Sequence, residues 1–145
     1  MAFAPGQFIT AQRLNRLQPK VYWAQASGTF PVSQSLVDIP GTSMSIIVET
    51  AGATISIDWS VSVYANASML ASSSASARAW FGSDSSPVYA LAQLTANAEK
   101  VTIANSWMTT APTAATYTAK LVGSTPAQAT MSNYGSIKVT VYEVA

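Results

Sequence analysis

The chain, 145 residues long, has no cysteine and no histidine. The first absence rules out disulfides and thiolate chemistry and leaves the redox compartment open. The second removes the commonest general base and metal ligand, so a Ser-His-Asp triad is impossible. Charge is also scarce, with Asp, Glu, Lys and Arg making up 9% of the residues, against roughly 25% in an ordinary soluble domain. The net charge of +1 is too small for phosphate-backbone binding, which needs clustered Lys and Arg, so no nucleic-acid partner is expected. No apolar run approaches the ~18 residues of a membrane span, so no membrane partner is expected either. Residues 1–6 lack the charged and apolar regions of a signal peptide, and secretion is not indicated.

Apolar residues nevertheless make up 49% of the chain, enough for one domain with a real core and too many for a disordered tail. A monomer usually keeps itself soluble with charge. A surface finished in Ser, Thr, Ala and Gln suits a protein packed into an assembly better than a free secreted domain.

Residues 1–20 read as an N-terminal docking arm with one short helix, and residues 21–145 as a β-sandwich domain. Pro5-Gly6 marks a turn in an extended tip. Thr10 is the expected N-cap, its hydroxyl accepting from the amide of Gln12 or Arg13. Ile9 and Leu14 then occupy the two positions of a hydrophobic staple. Ala11, Leu14 and Leu17 share one face, with Gln12, Arg13 and Arg16 away from it. Pro19 forces Gln18 out of the helical region and stops the element. A helix of about two turns cannot stand alone, so its apolar face must dock on its own body or on a neighbour. Arg13, Arg16 and Lys20 make a small basic patch, with no acid among the first 30 residues.

From residue 21 the period becomes two. Over residues 54–65, Ile55, Ile57, Trp59, Val61, Val63 and Ala65 alternate with Thr54, Ser56, Asp58, Ser60, Ser62 and Tyr64, which predicts a long half-buried antiparallel strand. Residues 136–144 repeat the pattern, Ile137, Val139 and Val141 alternating with Lys138, Thr140 and Tyr142. Further strands are expected over 21–26, 43–49, 75–81, 88–94, 100–109, 116–122 and 127–132. Breakers separate them: Gly28, Pro40-Gly41, Ala51-Gly52, residues 82–87, Pro112, residues 123–126 and Asn133-Tyr134-Gly135. The Ala/Ser tract over 65–79 reads as strand, because its serines suit caps and turns better than a helix interior. The fold class is therefore all-β, an antiparallel sandwich or barrel whose strand count matches a jelly roll, preceded by the helical arm. Greek-key order is not legible at this level.

Nothing in the chain assembles into a reaction centre. The six carboxylates (Asp38, Glu49, Asp58, Asp84, Glu99 and Glu143) are scattered singly and read as solvated surface acids, whereas a glycosidase needs two facing each other across ~5–10 Å. An Asp-rich calcium loop and a Gly-rich phosphate loop are both missing. The expectation is a non-enzyme with no catalytic residue, cofactor or metal site. Among the aromatics, Trp59 belongs to the core. Tyr64 and Trp80 fall on the polar sides of their strands, where a subunit interface is favoured over a glycan surface. Asn66-Ala67-Ser68 matches a glycosylation sequon without a secretion signal to support it.

The opening Phe8-Ile9-Thr10-Ala11-Gln12-Arg13-Leu14-Asn15-Arg16-Leu17 resembles the Thr-Ala-x-x-Leu-Asn start of tailed-bacteriophage virion proteins. Tyr117-Thr118-Ala119-Lys120-Leu121, a turn, residues 127–133 and then Ser136-Ile137-Lys138-Val139 resemble the last strands of phage β-sandwich modules, similar in outline to tumour-necrosis-factor-like jelly rolls. The two matches cover about a third of the chain. The resemblance implies a virion structural protein, assembled in the host cytoplasm and carried on the particle surface. It would be a homotrimeric capsid decoration, head-fibre or minor capsid protein bound to the major capsid protein; the alternative is a minor tail or receptor-binding tail module contacting tail proteins or a host surface glycan. Phe3, Phe8, Ile9, Leu14 and Leu17 would then be the apolar anchors of the arm, and Arg13, Arg16 and Lys20 would meet acidic shell surface.

Overall fold

A computed structural model of the chain describes residues 10–28, 35–67 and 74–144, without the side chains of Ser132 and Asn133. Among the described residues one helix, α1 (Ala11–Leu17), precedes ten strands. In chain order these are β1 (Lys20–Gln25), β2 (Val37–Asp38), β3 (Met44–Val48), β4 (Thr54–Ala65), β5 (Ala75–Phe81), β6 (Asp84–Ser85), β7 (Ala90–Ala92), β8 (Lys100–Thr110), β9 (Ala115–Ser124) and β10 (Ala129–Tyr142).

They form two antiparallel sheets. The first runs β1-β10-β4-β8. In the second, β9 pairs β5, the other side of β9 is shared by β2 and β3, and the other side of β5 by β6 and β7. Counting β2 with β3 and β6 with β7 as single interrupted strands, the orders become 1-8-3-6 and 2-7-4-5. These are the two interlocked Greek keys of a jelly roll.

Alternation explains the core. Ile55, Ile57, Trp59, Val61, Val63 and Ala65 of β4 are all buried, as are Ile137, Val139 and Val141 of β10. Opposite them the second sheet offers small residues, Ala75, Ala77 and Ala79 of β5 and Ala119 of β9, together with Phe81 and Leu121. Bulky residues on one sheet meeting alanines on the other let the two layers interdigitate at interior density. The part of the Ala/Ser tract that the structure describes is therefore strand, with its alanines inward.

Four expectations change. The strands predicted over 127–132 and 136–144 are one strand, β10, whose register against β4 shifts between Ser132 and Ser136. Asn133-Tyr134-Gly135 is a bulge within it, not a turn. A Cβ on Gly135 would stand 3.1 Å from the Ser60 carbonyl, and the Gly135 carbonyl accepts from the Ala26 amide at 2.9 Å. The strand predicted over 88–94 shrinks to the three residues of β7, because Pro87 interrupts the edge. Two-residue β2 and β6 are too short to carry a periodic signal. Finally, Lys20 belongs to the body, where it opens β1.

The Pro40-Gly41 turn between β2 and β3 is held against the end of β1, where the Ser27 amide donates to the Pro40 carbonyl at 3.0 Å. Gly41 has φ +82°, and a Cβ there would lie 2.5 Å from the Gln25 carbonyl and 2.8 Å from the Ser27 nitrogen. Both obstacles are backbone and cannot swing away. Gly41→Ala should cost about 2 kcal/mol, read as a fall in melting temperature of roughly 5 °C. An unchanged melt would mean the turn is not seated there.

Candidate functional site

The end of the sandwich where α1 meets the body brings four charged side chains together, Arg16, Lys20, Glu49 and Glu143. The helix starts as its sequence requires. Thr10 Oγ1 accepts from the Arg13 amide at 3.3 Å, and Gln18 is extended (φ −73°, ψ 133°) ahead of Pro19. None of its residues is buried, and Leu14 and Leu17 remain 52% and 39% exposed. The apolar face of the helix is thus largely uncovered by the body. Phe3, Phe8 and Ile9, and with Ile9 the staple, lie outside the described residues.

Charge holds the helix end to the body. Arg16 Nε lies 3.7 Å from Glu49, Lys20 Nζ pairs with Glu49, and the same ammonium is 3.6 Å from Glu143. Gln12, Asn15, Arg16, Lys20 and Glu49 line an open polar recess here. Arg16 and Lys20, expected to meet an acidic shell surface, here contact carboxylates of their own chain.

Glu143 overturns its reading as a solvated acid. Its side chain is fully buried. It accepts from the Glu49 amide at 2.8 Å, the Thr50 amide at 2.9 Å and the Thr50 hydroxyl at 2.6 Å. Thr50 Oγ1 in turn accepts from the Val144 amide at 3.0 Å. Burial alone would push this carboxyl up. The Thr50 hydroxyl, the two amides and the Lys20 ammonium together outweigh burial and hold it below the usual carboxylate range. Burial likewise pulls Lys20 down, and its two glutamates outweigh that and raise it. Glu49 and Glu143 therefore do converge, but on a shared ammonium. A carboxylate kept ionised by three donors is a latch between β10 and the β3–β4 turn, without the raised pKa that a general acid needs. The clue was in register: Glu143 continues the inward series Ile137, Val139, Val141.

The structure does not bring Tyr64 and Trp80 together. Tyr64 lies on the outer face of the first sheet, 37% exposed, and Trp80 on the outer face of the second. Trp80 is half-buried, with Nε1 donating to the Gly82 carbonyl at 2.8 Å. The Arg78 guanidinium sits 5.4 Å from its ring centroid and 4.6 Å from that of Tyr89. Lys120, paired with Asp38 at 2.7 Å, lies 5.9 Å from the Trp80 ring. Trp80 is thus occupied by cations of its own chain. The more open tryptophan is Trp23, 61% exposed beside Val21 on β1. Alternation could not find it, since both faces of residues 21–26 carry apolar residues.

Among the described residues no three Asp or Glu side chains come together as metal ligands.

No family model matches the chain, and no curated protein does. Solved structures do. A chain of the infectious bursal disease virus VP2 subviral particle superposes with TM-score 0.55 at 17% identity, over 86% of this chain and 33% of its own length. The shared feature is the fold. Chains of the Gt and Gx strains of the same virus give TM-scores of 0.54 and 0.52 at 14% and 17% identity, again over 86% of this chain. This chain spans about a third of the length of each. What these chains share with this one is the β-sandwich fold expected from its sequence.

Proposed function

We propose that this protein is a non-enzymatic structural component of a virus particle, with the jelly roll as its body and the segment through α1 as its docking arm. The observation that carries the reading is the jelly-roll superposition on virus-particle chains over 86% of the chain. The uncovered apolar side of α1 and the scarcity of charge support it. In its finer form the protein decorates the capsid of a tailed bacteriophage as an oligomer bound to the major capsid protein.

The test is to purify particles by density gradient from a host producing this protein with a small C-terminal tag, and to label them for electron microscopy. Regularly spaced label on the head is expected. Label confined to the tail would select the tail alternative, and particles without label would end the virion reading. A glycan-binding tail module would draw on Trp23 more than Trp80, because Trp80 already faces two cations.

A further inference from the structure

A sheet edge presents unpaired backbone groups, and folded proteins blunt such edges with short strands, proline, charge or cover. Among the described residues the two sheets have four edges, and three of them are blunted. β1 is six residues long, enters from Pro19, which has no N–H, and begins with Lys20. The β2/β3 edge is interrupted at Pro40-Gly41, and the Tyr22 hydroxyl bonds both the amide and the carbonyl of Ile47 at 3.3 Å. The β6/β7 edge is two short pieces around Pro87.

The fourth, β8, is neither short nor interrupted by proline, and although β7 of the second sheet comes close beside it, no strand among the described residues pairs with its free side. It is eleven residues long with no proline or glycine, and its one charge, Lys100, stands at its end. Its register against β4 runs without a break from Thr54↔Thr110 to Tyr64↔Lys100, so no bulge twists it away. Met108 is 66% exposed on it. One amide, that of Ser106, is covered only by the side chain of Asn105, at 2.8 Å.

We propose that β8 pairs edge to edge with β8 of a second copy of this chain, antiparallel across a two-fold axis at Asn105. An occupant of this edge must bring an unpaired strand of its own, and on a second copy the unblunted one is again β8, which makes the contact isologous. The centre follows from full overlap: only a register centred on Asn105 pairs every residue from Lys100 to Thr110. In that register Lys100 faces Thr110 of the partner subunit, so no like charges stand opposite one another. Trp107 faces Ile103 of the partner subunit, a favourable aromatic–β-branched pair. The Ser106 amide exchanges its local side-chain acceptor for a backbone one. The two four-stranded sheets join end to end, and the pairing holds whether or not the protein belongs to a virion.

Sedimentation velocity on the full chain over a concentration series tests it. The wild type should dimerise. The double variant Ala104→Lys, Ser106→Lys changes two exposed outer-face positions that face each other across the axis, and should associate at least about tenfold more weakly with an unaltered thermal melt. The Ala104→Glu, Ser106→Glu variant should fail alone in the same way, and an equimolar mixture of the two should recover the dimer. A wild type that stays monomeric, a trimer, or a dimer indifferent to these charges would each overturn the proposal.

Discussion

Replacing Glu143 with alanine should remove about 4 kcal/mol of stability, the scale expected when one partner of a buried, hydrogen-bonded ion pair is deleted. For a domain of this size that is a fall in melting temperature of roughly 10 °C. The size follows from what is stranded: the Glu49 and Thr50 amides lose their acceptor, the Thr50 hydroxyl loses its short bond, and Lys20 keeps only Glu49. Glu143→Gln should cost about half as much, since an amide oxygen replaces one acceptor while its NH2 group faces a donor.

The same residue sets a pH dependence. The folded-state pKa of Glu143 is depressed, so its stabilisation is complete above the ordinary carboxylate range and is lost as pH falls through the folded value. The pKa of Lys20 is raised, so its contribution is complete below the ordinary lysine value and is lost as pH rises through the folded one. Urea titrations should therefore show a plateau around neutrality with an acid limb and an alkaline limb. Glu143→Gln should flatten the acid limb. An acid limb of the same slope in the variant would assign it to other groups.

The parts of this molecule legible in its sequence are those governed by neighbours along the chain. The alternation in β4 named its inward residues correctly from Ile55 to Ala65, and Thr10 and Pro19 bounded the helix correctly. What was not legible depends on residues far apart. Glu143 meets Thr50 across 93 positions, and no local pattern says that the β3–β4 turn will aim two amides at it. Trp80 was placed on the correct side of its strand. What stands beside it depends on β9, which brings Lys120 opposite. Strand order is a global property of the same kind, since every strand here would read equally well in another antiparallel arrangement.

On the proposed docking role of the arm, deleting residues 1–19 should abolish attachment to the particle while leaving the body folded. The two halves of this result have separate grounds. The described part of the arm, Thr10 to Pro19, buries no residue, and an ion pair that leaves with it, Arg16–Glu49, spans 3.7 Å between half-exposed side chains. Such pairs contribute about 0.2–1 kcal/mol, so the melting temperature should move by no more than roughly 3 °C. Lys20 stays, and with it the Glu143 latch. Binding responds differently, because avidity multiplies. Several arms on one oligomer convert weak single contacts into an association ~10²–10⁴ tighter than any one of them, and all of that is lost when the arms are removed. Cosedimentation of the truncated chain with particles lacking the protein is the measurement, alongside its thermal melt. A milder variant, Leu14→Asp with Leu17→Asp, targets the uncovered face of α1 and should also fail to cosediment. Truncated protein that binds undiminished would move the docking function onto the β-body, and truncated protein that unfolds would make the arm part of the fold.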